Sequence, residues 1–112
     1  MEFLQELKNK WLNDYYRQKS ILENTQTTKY YLECIFDTRK DFYKKAQVIE
    51  HDGILYLKSY ETIVAIIYKN FAYCFGWYSQ TTARHINEFL KQKGFETKSK
   101  KELTENKIFI KE

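Results

Sequence analysis

The stretch from Tyr60 to Phe95, YETIVAIIYKNFAYCFGWYSQTTARHINEFLKQKGF, constrains the fold most, because two aromatic-rich strand patterns run directly into one helix with marked ends. Thr62 to Tyr68 is apolar on both sides. Simple alternation puts Val64 and Ile66 on one face and Ile63, Ala65 and Ile67 on the other, as expected of a central strand. After a turn at Lys69-Asn70, the rings Phe71, Tyr73, Phe75 and Trp77 alternate with Ala72, Cys74 and Gly76. Ser79 has the hydroxyl of an N-cap, and Gly94 stands where a helix ends in a left-handed residue. The spacing therefore predicts a helix from Gln80 to Lys93. Its buried stripe is Thr82, Ile86, Phe89 and Leu90, with Arg84, Asn87, Glu88 and Lys91 outside.

Upstream, Asp52-Gly53 suits a tight hairpin turn, so Val48 to His51 should pair antiparallel with Ile54 to Lys58. Alternation from Tyr30 to Phe36 predicts another strand, followed by a turn at Asp37 to Lys40 and a strand from about Phe42 to Ile49. Between Glu2 and Leu22 the apolar residues Phe3, Leu4, Leu7, Trp11, Tyr15 and Leu22 recur mostly every three or four positions, the mark of an amphipathic helix. The polar run from Glu23 to Thr28 reads as its linker. Past Gly94, Ser99-x-x-Glu102 has the form of a capping box for a short helix, and Ile108 to Ile110 reads as a late strand or docking tail.

These elements predict an α+β fold: an antiparallel sheet of four to five strands, one main helix packed on it, and an N-terminal amphipathic helix packed nearby or dimerising. At 112 residues and 13.7 kDa the chain is expected to form one domain, with an N-terminal helix over 1–23, a core over 29–95 and a tail over 96–112. The aromatic share of 18% means that the core is built largely from rings. A formal charge of +4 gives a mild bias towards polyanions. Cys34 and Cys74 lack metal-ligand or redox spacing, and no signal peptide is recognisable, so reduced buried thiols in a cytoplasm are expected. The apolar runs are short of the ~20 residues of a membrane helix, so no membrane partner is expected.

The successions DFYKKAQV (Asp41 to Val48), LKSYETIVA (Leu57 to Ala65) and GWYSQTTARHINEFLKQKGF (Gly76 to Phe95) resemble a domain-of-unknown-function family of small bacteriophage and mobile-element proteins. The family pattern is an aromatic-lysine-alanine strand, a Ser-Tyr-x-Thr strand start and a Tyr-Ser-x-Thr-Thr-x-x-His-Ile-x-x-Phe-Leu helix start. The resemblance covers about Phe36 to Lys101. One departure is Lys44, where related sequences often carry Gly. It implies a phage or integrated element in a bacterial host, and it brings no established activity.

Several groups are candidate sites, each with a plainer structural reading. Tyr78, Ser79 and Thr81 stand at a helix N-terminus, where free amides favour an anion, although capping alone accounts for Ser79. Arg39, Lys40, Lys44 and Lys45 surround Phe42 and Tyr43, the mixture of cations and rings that single-stranded nucleic acid exploits; a solvated, lysine-protected edge strand gives the same pattern. Arg84, on the outer face of the helix, joins these as a candidate for nucleic-acid or nucleotide binding. Trp11, Tyr15 and Tyr16 either pack on the sheet or offer an aromatic patch to a protein. His85 lacks a second metal ligand at helical spacing and reads as a structural histidine.

No catalytic residue set, metal site or cofactor motif emerges. The expected function is a non-enzymatic binding protein that inhibits a host protein or ribonucleoprotein, of anti-defence (anti-CRISPR-like) type. The alternative is a nucleic-acid- or nucleotide-binding accessory protein, and a dimer is compatible with either.

Overall fold

The computed structural model describes residues 5–6, 9–10, 28–39, 41–51, 53–105 and 107–111. Strands β1 (Thr28–Tyr31), β2 (Ala46–His51), β3 (Ile54–Ser59), β4 (Thr62–Tyr68) and β5 (Phe71–Cys74) are followed by helices α1 (Gln80–Gln92) and α2 (Lys100–Thr104) and by strand β6 (Ile108–Ile110). All neighbours pair antiparallel, in the order β1-β2-β3-β4-β5-β6. The expected architecture of four to five strands with an N-terminal helix is thus corrected to a six-stranded meander carrying α1 and the short α2. The sixth strand comes from the presumed tail, where Phe109 pairs with Ala72 and buries its ring. Of the helix expected over residues 2–22, Gln5, Glu6, Asn9 and Lys10 are described, helical and exposed. Trp11, Tyr15 and Tyr16 lie outside the described residues.

The strands around the Asp52-Gly53 turn follow its register, with Gln47 opposite Lys58 and His51 opposite Ile54. One sheet face, with Val48, Leu57, Ala65, Ala72 and Cys74, packs with Ile86, Phe89 and Leu90 of α1 and Leu103 of α2. The other face gathers Ile49, Ile54, Tyr56, Ile63, Ile66 and Tyr73, all buried. Val64 belongs to the first face, against simple alternation. The register between β3 and β4 slips at Leu57/Lys58, where the ladder passes from Leu57↔Ala65 to Lys58↔Ile63 and skips Val64. A bulge of one extra residue turns Val64 to the same side as Ala65 and Ile67.

Helix α1 begins and ends as its sequence signals require. The Ser79 side chain accepts a hydrogen bond from the Thr82 amide. At the far end Phe95 N donates to Leu90 O and Gly94 N to Lys91 O, with Gly94 at φ +88°, the paired closure that a left-handed residue after a helix permits. Helix α2 is closed by the reciprocal Ser99 and Glu102 bonds.

The strands expected over 30–36 and 42–49 are shorter than their alternation implies. Residues 32–39 and 41–45 lie instead outside any strand, with 35–37 set against α1. Glu88, expected outside, is the reason: it is only 3% exposed, and its Oε1 accepts the amides of Ile35, Phe36 and Asp37 at 3.1, 2.8 and 2.8 Å. Those amides find a carboxylate in place of a neighbouring strand.

Candidate binding surface

The hairpin register brings Lys45 beside Tyr60, whose amide donates to Lys45 O at 2.7 Å. Next along the ladders, Gln47 faces Lys58 in β3 and Tyr31 in β1. Val48 and Leu57 point towards α1, so alternation sends Gln47 and Lys58 to the opposite face. There Tyr31, Lys44, Lys45, Gln47, Lys58, Tyr60 and Glu61 line a cleft of about 320 Å³. Among the described lining residues three lysines accompany one carboxylate, Glu61, which lies 3.8 Å from Lys58 Nζ. The rings of Tyr31 and Tyr60 are 51% and 47% exposed, and Lys44 Nζ sits 5.7 Å from the centre of the Tyr31 ring.

The backbone under this cleft is unusual. Tyr43, Lys44 and Tyr60 have φ of 52°, 61° and 57°, left-handed values that cost a side-chain-bearing residue roughly 1–2 kcal/mol each. The bond from Lys45 N to Phe42 O closes the first turn. Strained positions of this kind persist where their surroundings fix them.

Behind the cleft lies a buried polar seam. Ser59 Oγ is 2.7 Å from His85 Nδ1 and 2.9 Å from Thr82 Oγ1, each pair sharing a hydrogen bond. The Phe42 ring meets the imidazole edge-on at 4.6 Å, and Tyr60 lies at 5.9 Å, so His85 backs both turns of the cleft. Burial, aided by the Arg39 charge and opposed by Asp37, lowers the His85 pKa to about 4, which keeps the ring neutral. Nε2 has no hydrogen-bond partner among the described residues. Ser59 and His85 have the contact of a nucleophile and its base, but both are buried beyond the reach of a substrate in this conformation.

The sequence-derived candidates separate. Lys44 and Lys45 reach the cleft. Arg39 and Arg84 gather instead around Asp37, whose Oδ1 accepts from Arg39 N and from an Arg84 guanidinium nitrogen, both at 2.8 Å. Ser79 is occupied as a cap, with Thr81 half-buried and Tyr78 exposed beside it. Lys40, Trp11, Tyr15 and Tyr16 lie outside the described residues. Among the described residues, no group of three or more His, Cys, Asp and Glu side chains could hold a metal ion, and no helix is long and apolar enough to cross a membrane.

A second exposed feature stands on the Glu88-held loop, where Ile35 and Phe36 are 63% and 56% exposed although their amides are fixed from beneath. Gln92 braces the arrangement, donating to Glu88 Oε2 and to the Glu33 carbonyl. Sequence reading missed this pair because alternation assigned it to a strand. It also missed Tyr31, Gln47, Lys58 and Tyr60, although the Asp52-Gly53 register already places the last two opposite Gln47 and Lys45.

Residues 30–105 match the model of a family of unknown function, DUF8033. The chain belongs to this family. The DUF8033 match runs from β1 through α2, so it includes the whole cleft, the Ile35–Phe36 loop and Glu88, and it stops before β6. No curated protein and no solved structure matches the chain.

Proposed function

We propose that this DUF8033 protein is a non-enzymatic binding protein of phage or mobile-element origin. It acts in the bacterial cytoplasm by occupying a surface on a host protein or ribonucleoprotein, as an inhibitor of a defence system does. One observation carries the reading: two large apolar side chains, Ile35 and Phe36, are held out in solvent by a loop whose backbone is fixed by a buried carboxylate. Solvent-exposed apolar groups favour burial, and a loop already fixed loses little freedom on binding, so such a pair is suited to anchor a protein partner. The phage setting rests on the motif resemblance at Tyr78 to Leu90.

The test is an affinity capture from nuclease-treated bacterial lysate with the wild-type chain and an Ile35→Ser/Phe36→Ala variant, its folding checked by circular dichroism. The expected result is a partner retained by the wild type, lost by the variant, and inhibited by the wild type once purified. A partner that binds both proteins equally, or no partner at all, would overturn the reading.

A further inference from the structure

We propose that the Tyr31–Lys44–Lys45–Gln47–Lys58–Tyr60 cleft is a binding site for a phosphate ester that carries an aromatic base, the repeating unit of single-stranded nucleic acid. The site is distinct from the Ile35–Phe36 loop, so either proposal can fail without the other.

Charge supplies the first argument. Lys44, Lys45 and Lys58 line one cleft, and Glu61, paired with Lys58, is the one carboxylate among its described lining residues. Like charges gathered at one cleft repel one another, and an anion relieves that repulsion. The rings supply the second. Tyr31 and Tyr60 line the cleft and are each about half exposed, and a base stacked on such a ring loses contact with water without needing a particular hydrogen-bond pattern. Gln47 lies on the floor between the two tyrosine-bearing segments, opposite both Lys58 and Tyr31. Its amide can donate to and accept from a base edge.

Size and rigidity complete the case. About 320 Å³ lies at the small end of ligand sites, enough for one nucleotide unit and too little for a folded helix. Among the described residues β1 is an edge strand of the sheet, and its Tyr31 lines the cleft, which suits a chain of nucleotides running along the sheet margin. The Tyr60–Lys45 bond, with His85 against Phe42 and Tyr60 behind it, holds the backbone that carries Lys44, Lys45 and Tyr60 before any ligand arrives. Preorganisation of this kind reduces the ordering cost of binding.

The experiment is fluorescence anisotropy of the full chain with labelled twelve-nucleotide oligo-uridine and oligo-thymidine, with uridine monophosphate and polyglutamate as unlabelled competitors. If about three phosphates are contacted, log affinity falls with log salt at a slope near −2, at ~0.7 per phosphate on a single strand. Lys44→Gln/Lys45→Gln/Lys58→Gln should lose at least tenfold in affinity and flatten that slope. Tyr31→Ala should lose roughly fivefold or more with the slope unchanged, as loss of a stacked base does. Glu61→Gln should tighten binding a few-fold, a change that damaged folding does not imitate. Competition by uridine monophosphate at micromolar levels would make the free nucleotide the ligand; competition only by oligonucleotide would make it the strand. Equal competition by polyglutamate, no binding at low salt, or binding untouched by the lysine and tyrosine variants would overturn the proposal.

Discussion

Glu88 Oε1 and the amide of Phe36 lie 2.8 Å apart, although 52 positions separate the two residues in sequence. The same oxygen also takes the amides of Ile35 and Asp37, so one buried carboxylate replaces the ladder partner that this segment would find in a strand. Removing it leaves three amide donors without their acceptor. Glu88→Ala is expected to destabilise the fold by roughly 2–4 kcal/mol, the loss of several charge-assisted bonds. Glu88→Gln, which retains one oxygen acceptor, should cost less than half as much. Urea unfolding followed by tryptophan fluorescence measures both, and equal losses for the two variants would refute the role of the charge.

His85 makes stability depend on pH in a direction fixed by its lowered pKa. The folded ring titrates near 4 and the unfolded ring near 6.5, so both are neutral above pH 7 and the contribution to stability is complete there. Between pH 6.5 and 4 the unfolded chain takes up a proton that the folded chain refuses, and stability falls as pH falls. The expected loss across that window is roughly 2–3 kcal/mol. Asp37 and Arg39, the charges that act on the ring, oppose each other. Denaturation midpoints at pH 7.5 and 5.0 test this, since His85→Gln should flatten the difference between them.

How much of this was legible in the sequence follows from the range of the forces involved. Local signals survived intact: the Ser79 cap, the Gly94 closure, the Ser99 capping box and the Asp52-Gly53 register each depend on residues a few positions apart. The Val64 bulge was invisible, because Ile63 to Ile67 is apolar throughout and no polar residue marks the change of face. Glu88 was misplaced for a related reason. A carboxylate on a helix reads as solvent-facing until the loop that covers it is known, and the alternation of Tyr30 to Phe36 assigned that loop to a strand. At the cleft, the lysines were seen along the chain, while their partners Lys58 and Tyr60 required reading the hairpin across its ladder.

The two cysteines should differ in reactivity. Burial pushes the Cys74 thiol up to about 12, with the Lys98 charge acting against it. Burial also raises Cys34, together with the carboxylates of Asp37, Glu88 and Asp41, and Arg39 acts against them. Thiolate is the reactive form, so both should react slowly in the native state, but Cys34 is partly accessible and Cys74 is enclosed. Alkylation at pH 8, followed by mass spectrometry, should label Cys34 over time and Cys74 only after denaturant is added. Prompt labelling of Cys74 would show that the α1 face of β5 opens readily.

Lys44 tests whether strain and binding are separate properties of the cleft. Its φ of 61° suits glycine, in keeping with the glycine that the motif resemblance implies there. Lys44→Gly should therefore relieve the left-handed penalty, partly offset by the greater freedom of glycine in the unfolded chain, for a net gain of about 0.5–1 kcal/mol. Lys44→Ala keeps the penalty and should leave stability nearly unchanged. Both substitutions remove the ammonium group beside Tyr31, so both should weaken oligonucleotide binding alike. The decisive comparison is thermal melting against binding for the three proteins: Lys44→Gly should melt highest while binding no better than Lys44→Ala. If the glycine variant melted below wild type, the turn would depend on contacts of the lysine stem, and its left-handed backbone would not be the strained element described above.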